Sequence, residues 1–385
     1  MSVKEVRTTN EHAFTRIFWV GCIWEVCRTS SLECLCYSEC NMPDIRGFLQ
    51  QTFAHCGGAM SFENFMKMAL FDPEHGYYTR RIAEVGGRRG DFATSATLSG
   101  GLGRAVAGWI KAEIKHHGWR CAVPVIEVGG GSGALARSVL RELGWWGRRR
   151  VQYNIVEISD PLIQQQPEHL WRYGVTWAAD IRSLLSAYRG QALIVSNELV
   201  DAFPVQWLRW NAAGKAWDEI FVAYDPDQGL SEQFHPVRHA LDPAKFSATA
   251  LPDRRDGQRI ELHRSYCLWL HEVVQDHWKS GSMLTIDYGA PTAAEIYHRQ
   301  PAGTLRAYHR HQQIEGAGIY ARIGKQDLTA DVNFADLIAW GEGLGLETNF
   351  LQTQSTFLEA HGAGSDPMAG PGVGEAFQVL SQRRR

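Results

Sequence analysis

Glu127-Val128-Gly129-Gly130-Gly131-Ser132-Gly133 is the stretch of this chain best placed to do chemistry. An apolar run, Val125-Ile126, leads into an acid and then into four glycines within five residues. Ala134, Leu135, Ala136, Val139 and Leu140 follow at helical spacing. The pattern predicts strand, tight turn and helix. Glycine allows left-handed backbone angles and lets a ligand approach the backbone. The helix beyond offers unpaired N–H groups at its N-terminus. Such a turn can hold a nucleotide-like cofactor or an amino-acid carboxylate. Gly129-x-Gly131-x-x-Ala134 also fits the dinucleotide pattern, so the glycines alone do not choose between ligands.

Two acids narrow the choice. Glu127 ends the first strand, two residues before the first glycine. An acid there suits a cofactor with an ammonium group, such as the methionine part of S-adenosyl-L-methionine (SAM). Tyr153-Asn154-Ile155-Val156-Glu157 reads as a second strand ending in an acid. A carboxylate at that place can accept both hydroxyls of a ribose. NAD and SAM both carry one, so Glu157 does not separate them.

The elements that must position these residues alternate. Strands are expected at 123–128, 152–157, 174–177, 191–196 and 283–287, with helices between them. Repeated strand–helix units imply a parallel sheet covered on both faces. The fold class expected is α/β, a Rossmann-like sheet with an N-terminal helical extension and an inserted β-rich region. Helical spacing covers 43–70, with Ser61 as a candidate N-cap, then 102–116 and 261–278. The insertion spans about 205–260. In it, 205–210 and 217–222 alternate around Asn211–Lys215 and read as a hairpin, and 225–257 as a polar, irregular connection. Residues 362–374 read as a loop before a last strand at 376–380. The expected division is a divergent, disordered extension at 1–41, a helical region at 42–118 and the sheet domain at 119–385. Met42 and Met60 are candidate starts.

Asn197-Glu198 follows the fourth strand. In a doubly wound sheet, ligands lie beyond the carboxyl ends of the strands. Asn197 and Glu198 are therefore expected to face the reacting group. Glu198 and Asp201 suit a guanidinium, which pairs with carboxylates in a fork. Asp180 after the third strand can serve an adenine amino group or start a helix. Tyr77, Tyr78, Phe92 and Tyr308 are candidate pocket walls or core residues. His309 and His311 read as surface residues.

Composition bounds the function. A chain of 385 residues can bury a sizeable core, in one large domain or two. The formal charge is −3, and the arginine clusters at 80–81, 88–89 and 148–150 are short and separated. They read as solvated faces, and nucleic acid is not an expected partner. No apolar run is long enough to span a bilayer. Six of the eight cysteines precede residue 60. Cys34-x-Cys36-x-x-x-Cys40 matches no standard zinc spacing, so no metal is expected, and a disulfide framework does not suit an intracellular enzyme. Acids through residues 1–41 do not suit a mitochondrial presequence.

The motifs together resemble the MidA-like class I SAM-dependent methyltransferases, a family that includes a mitochondrial complex I assembly factor with protein arginine methyltransferase activity. The resemblance covers roughly 43–383. It rests on 69–78 (Ala-Leu-Phe-Asp-Pro-Glu-His-Gly-Tyr-Tyr), 90–95 (Gly-Asp-Phe-Ala-Thr-Ser), the loop at 127–133 and 197–205 (Asn-Glu-Leu-Val-Asp-Ala-Phe-Pro-Val). Ile286-Asp287-Tyr288-Gly289, Leu305-Arg306-Ala307-Tyr308 and Asp327-Leu328-Thr329 complete it. The order argues against NAD. The resemblance implies SAM as cofactor. It implies cofactor contacts from Asp91, Thr94, Glu127, Gly129, Gly131, Gly133, Glu157, Asp180, Ile181 and Asn197. It also implies catalysis by Asn197, Glu198 and Asp201 on an arginine of a protein substrate. The alternative is a non-catalytic assembly factor that binds a partner protein, with or without SAM. A homodimer is compatible. The compartment would be the cytoplasm in a bacterium and the mitochondrial matrix in a eukaryote. The chain departs from the family at Gly130 (usually Pro), at Ala96-Thr97 (usually Pro-Glu), at Arg104 (usually Glu), and at Asp331 and Asn333 (usually His and Asp).

The first 41 residues differ in composition and lie outside the resemblance. Deleting them is expected to leave SAM affinity unaltered and the melting temperature within about 5 °C, checked by calorimetry and thermal unfolding.

Overall fold

A computed structural model describes residues 45–82, 96, 99–239, 242–247 and 254–384. The expected extension at 1–41 and the motif at 90–95, with Asp91, Phe92 and Thr94, lie outside the described residues.

The central sheet holds five parallel strands: β2 (Val123–Val128), β3 (Val151–Val156), β4 (Thr176–Ala178), β5 (Gln191–Asn197) and β10 (Ser280–Ala290). Their spatial order is β4-β3-β2-β5-β10. β16 (Phe377–Arg384) adds antiparallel to β10, and β15 (Glu347–Thr353) closes that edge. β14 (Val332–Asn333) pairs with the end of β10. The strands form where the apolar runs predict them, because both faces are covered. Val125, Leu193 and Val195 pack with helices 101–116 and 134–148. Ile126, Ile194 and Met283 pack with helices 181–187, 264–272 and 334–343.

A second, antiparallel sheet stands beside the first. β6 (Gln206–Asn211) and β7 (Ala216–Asp225) make the expected hairpin. β9 (Arg259–Leu262) flanks β6, and β8 (Gly229–Pro236) flanks β7. β8 occupies part of the stretch expected to be irregular. Most of its residues are exposed, so an edge strand carries little apolar alternation to read. The other neighbour of β7 is β1 (Ala59–Ser61), from the N-terminal region. The helix expected over 43–70 is therefore two helices, 45–55 and 62–71, with a strand between them. Gly57 and Gly58, at φ +74° and +92°, break it. Ser61 caps the second helix by accepting from the Asn64 amide. A third sheet, β11 (Arg306–His309), β12 (Gln312–Ile314) and β13 (Asp327–Thr329), shares a core with the second through Ala307, Leu328, Phe62, Phe65 and Trp207. Among the described residues, no helix is long and apolar enough to cross a membrane.

Glu113 binds helix 101–116 to the sheet. It is buried and accepts from Ser282 Oγ at 2.6 Å and from Arg383 Nε and Nη2 at 3.0 and 2.8 Å. Burial alone would raise its pKa, but the bonds from Arg383 and Ser282 bring it below the usual value. Glu113→Ala leaves the partly buried Arg383 without its partner. The expected loss is about 3 kcal/mol, read as a lowered urea midpoint with unchanged m-value.

Candidate functional site

The sheet order reverses at β2, with β3 on one side and β5 on the other. The crevice beyond the carboxyl ends of β2 and β5 is where such sheets take ligands. Val128 pairs with Ser196, so the glycine loop and Asn197-Glu198 leave the sheet side by side.

The loop needs its glycines. Gly129, Gly131 and Gly133 have φ of +74°, +54° and +76°. A Cβ on Gly129 would lie 2.9 Å from Leu199 Cδ1. Gly130 has ordinary φ, yet its Cβ would meet Ile155 Cγ2 at 2.5 Å. That contact accounts for the departure there: Ile155 fills the space that a proline at 130 would need.

Glu157 is buried at the end of β3 and holds this loop. One oxygen accepts from Gly131 N at 3.0 Å, the other from Ile158 and Ser159 N at 2.9 and 3.0 Å. A carboxylate has about four acceptor sites, so these bonds leave room for a further donor. Burial raises its pKa, and the three backbone bonds counter that. Among the described residues, the Ser159 hydroxyl, buried beside this turn, has no hydrogen-bond partner. A glycine cradle that side chains would fill, an acid with spare acceptor capacity and an orphaned hydroxyl fit a bound nucleoside-like cofactor.

Glu127 is buried within β2 and accepts from Tyr153 Oη at 2.6 Å. Asp180 caps helix 181–187 through the Arg182 amide at 3.1 Å, and both its oxygens accept from Arg182 Nε. Arg182 continues to Glu272. The helix-starting reading of Asp180 is thus the one its bonds display. Ile181 is buried in the core.

The end of β5 carries the sharpest backbone feature. Glu198 has φ +51°, a conformation that non-glycine residues rarely hold without support. Its amide donates to Ile286 O at 2.9 Å, and Asn197 Nδ2 donates to its carboxylate at 3.1 Å. The next three amides, of Leu199, Val200 and Asp201, converge on Asp287 Oδ2 at 3.1, 2.8 and 3.4 Å. Asp287 lies within β10, just past its last pairing with β5, and is fully buried. Burial and nearby Asp201 push its pKa well up, against the pull of those backbone bonds. Asp201 accepts from Thr329 Oγ1 at 2.8 Å, and burial pushes it up to about 6. Asp327 accepts from Tyr78 Oη at 2.8 Å, and burial, then Asp201, push it up to about 8. Sequence reading assigned no role to Asp287 or Asp327. Their motifs, Ile286–Gly289 and Asp327–Thr329, were the available signal.

A cavity of about 960 Å³ opens beyond β10, walled by the inserted and third sheets. Tyr288, Arg306, Tyr308, Trp207, Tyr320 and Asp331 line it. Tyr308 is a pocket wall, as the sequence allowed. Tyr77 is core, and Tyr78 is tied to Asp327. Burial, then Glu198 and Asp201, keep the Tyr288 proton on, so this wall residue lies in the field of both acids. Arg306 Nη1 donates to Asp331 at 2.6 Å, and its guanidinium sits 5.8 Å from each of the Tyr288 and Tyr308 rings. Asp331, where the family has His, thus neutralises a buried cation. Arg104 bonds to Glu142 and the Gly362 carbonyl on the outer face, away from the crevice.

Burial pushes the Glu127 carboxyl up to about 8, against the bond from Tyr153. The folded protein keeps this proton where the unfolded chain gives it up. The stabilising contribution is present below about 4.5 and is lost as pH rises through about 8. Glu127→Gln keeps the shape and cannot ionise. It is expected to match wild type near pH 5 and to be more stable above pH 8, compared by urea unfolding at both pH values.

Comparison with known proteins places the chain in a family. A family model described as "Putative S-adenosyl-L-methionine-dependent methyltransferase" matches residues 105–351. The mouse protein arginine methyltransferase NDUFAF7, mitochondrial, is 26% identical over 358 residues, covering 85% of this chain and 78% of its own. The human protein of that name is 25% identical, covering 79% and 70%. Among solved structures, a COG1565 superfamily member from Burkholderia thailandensis, bound to S-adenosyl-homocysteine, superposes with a TM-score of 0.76. It is 26% identical, with 88% of this chain and 92% of that one covered. The glycine loop, the switch-point crevice and these relatives lead to one conclusion: the chain belongs to the SAM-dependent methyltransferase family, on a class I, Rossmann-like fold.

Proposed function

We propose that this methyltransferase modifies an arginine side chain of a protein substrate. The observation that carries the reading is Glu198, held at φ +51° beside the glycine loop. A carboxylate fixed there can orient a guanidinium and draw off positive charge as its nitrogen attacks. When bound, SAM supplies a methyl group already activated by its sulfonium, so the protein's task is alignment. Glycines 129, 131 and 133 would leave the backbone open to the cofactor, and Glu157 would take the ribose on its spare acceptor capacity. Glu127 is offered to the methionine ammonium, which would draw off its proton. Asn197 steadies Glu198 by the bond at 3.1 Å. Asp201 supports the loop from beneath through Thr329. Asp91 and Thr94 stay as cofactor contacts on the resemblance alone, as does an adenine contact near Asp180 and Ile181.

The cavity supports a protein substrate, since its size suits a side chain entering with neighbouring residues. The relatives named as protein arginine methyltransferases support the same acceptor. Those relatives are mitochondrial by name, so the matrix is the compartment we propose for a eukaryotic source and the cytoplasm for a bacterial one.

Glu198→Gln keeps shape and removes charge. SAM affinity is expected to stay within about threefold, roughly 0.7 kcal/mol. Transfer of labelled methyl to proteins of a lysate lacking the enzyme is expected to fall at least about a hundredfold, roughly 2.7 kcal/mol of transition-state stabilisation. Equal labelling by the variant would remove the guanidinium reading.

A further inference from the structure

The far end of the molecule carries a surface that the methyltransferase site does not use. Helix 134–148 is broken at Gly144 (φ +67°, ψ −179°), and the chain then runs Trp145-Trp146-Gly147-Arg148-Arg149-Arg150. A Cβ on Gly144 would touch nothing within 4 Å, so the backbone angle, not space, calls for glycine there. Leu143 is the last buried residue of the helix. Trp145 and Trp146 follow it into solvent, 52% and 75% exposed. A third tryptophan, Trp171, is 68% exposed in the turn at 171–173. Arg148 lies over the Tyr173 ring at 5.3 Å, which joins that turn to the helix end. Both segments lead into the amino ends of strands, β3 and β4. The glycine loop and Glu198 leave the carboxyl ends, on the opposite side of the sheet.

Three protruding indoles on one end are more than scattered surface apolar residues explain. Their neighbours are cations. Arg149 sits 3.7 Å over Trp145, and Arg172 sits 4.8 Å over Trp171. Arg149 and Arg150 are exposed. Glu142, in the last turns of the same helix, is engaged by Arg104 and Arg141. The surface is therefore apolar and cationic, and its complement is apolar and anionic. Guanidinium groups already cover indole faces, which disfavours base stacking, the mode by which single-stranded nucleic acid uses aromatic residues. A lipid headgroup layer needs no free ring face. It takes indoles at its boundary and phosphates beside arginines.

We propose that this end of the protein docks on a membrane surface rich in anionic lipid, with Trp145, Trp146 and Trp171 at the headgroup boundary and Arg148, Arg149 and Arg172 on the phosphates. Docking there leaves the cofactor crevice and the acceptor cavity turned away from the bilayer. The proposal does not depend on the identity of the methyl acceptor.

The test is flotation of the full chain with two sets of vesicles, pure phosphatidylcholine and the same lipid with about 30 mol% phosphatidylglycerol. Wild type is expected to float with the anionic vesicles only, with a blue shift of tryptophan emission. W145S/W146S/W171S is expected to lose at least about tenfold in partition. R148Q/R149Q/R172Q is expected to lose the preference for anionic lipid. Both variants should keep the wild-type melting temperature and SAM affinity, which separates docking from folding. Failure of wild type to float with either set would overturn the proposal, as would unaltered flotation of the tryptophan variant. Wild type that binds a single-stranded RNA or polyglutamate in place of vesicles would overturn it too, assigning the surface to nucleic acid or an acidic protein.

Discussion

The site depends on one buried carboxylate. Asp287 lies in β10 just past its pairing with β5 and gathers the amides of Leu199, Val200 and Asp201 on a single oxygen. Those amides would otherwise be unpaired donors in the interior, each costly to leave unmet. Their convergence turns the chain sharply just after β5 and holds Glu198 at a positive φ. Strain of that kind persists only where the surroundings over-determine it. Here the ladder between β5 and β10 and the Asp287 cap do so together. The carboxylate proposed to face the acceptor is thus positioned from the neighbouring strand and not by its own.

A second constraint comes from burial of acids. Asp287 and Asp327 each lie within the influence of Asp201. Low dielectric and like charge make full ionisation costly, so protons are retained and hydroxyls of Thr329 and Tyr78 are recruited. Arg306 adds the compensating cation and is itself balanced by Asp331. The acceptor side of the site is therefore a network with little spare charge. Its wall is built by segments far apart in the chain. β1 joins the inserted sheet, and the third sheet packs on helix 62–71.

Two of the departures that the resemblance implies, Gly130 and Asp331, have local physical reasons, and nothing in the structure explains Ala96 or Asn333. Gly130 is small because Ile155 Cγ2 occupies the neighbouring volume. Asp331 stands beside Arg306 and satisfies it. Arg104 is exposed and bonds to Glu142. The glycine loop has its acids and positive-φ glycines, and Asp331 is paired within the chain to Arg306.

The sequence by itself determined the parallel core, because a fully buried strand needs a continuous apolar run and a covering helix needs periodic apolar residues. It also determined the glycine loop, because only glycine takes those angles cheaply, and the pairing of that loop with Asn197-Glu198, because both end strands of one sheet. Edge strand β8 was not legible, since exposed strands need no alternation. The docking of β1 on β7 was not legible either, since a partner 160 residues away decides it. Only the tertiary structure showed that Glu127 accepts from Tyr153, that Asp180 takes its helix-capping alternative, and that Asp287 sets the turn carrying Glu198. A carboxylate's partners are chosen by proximity in space. Local sequence states which residues can ionise, and packing alone states what each one meets.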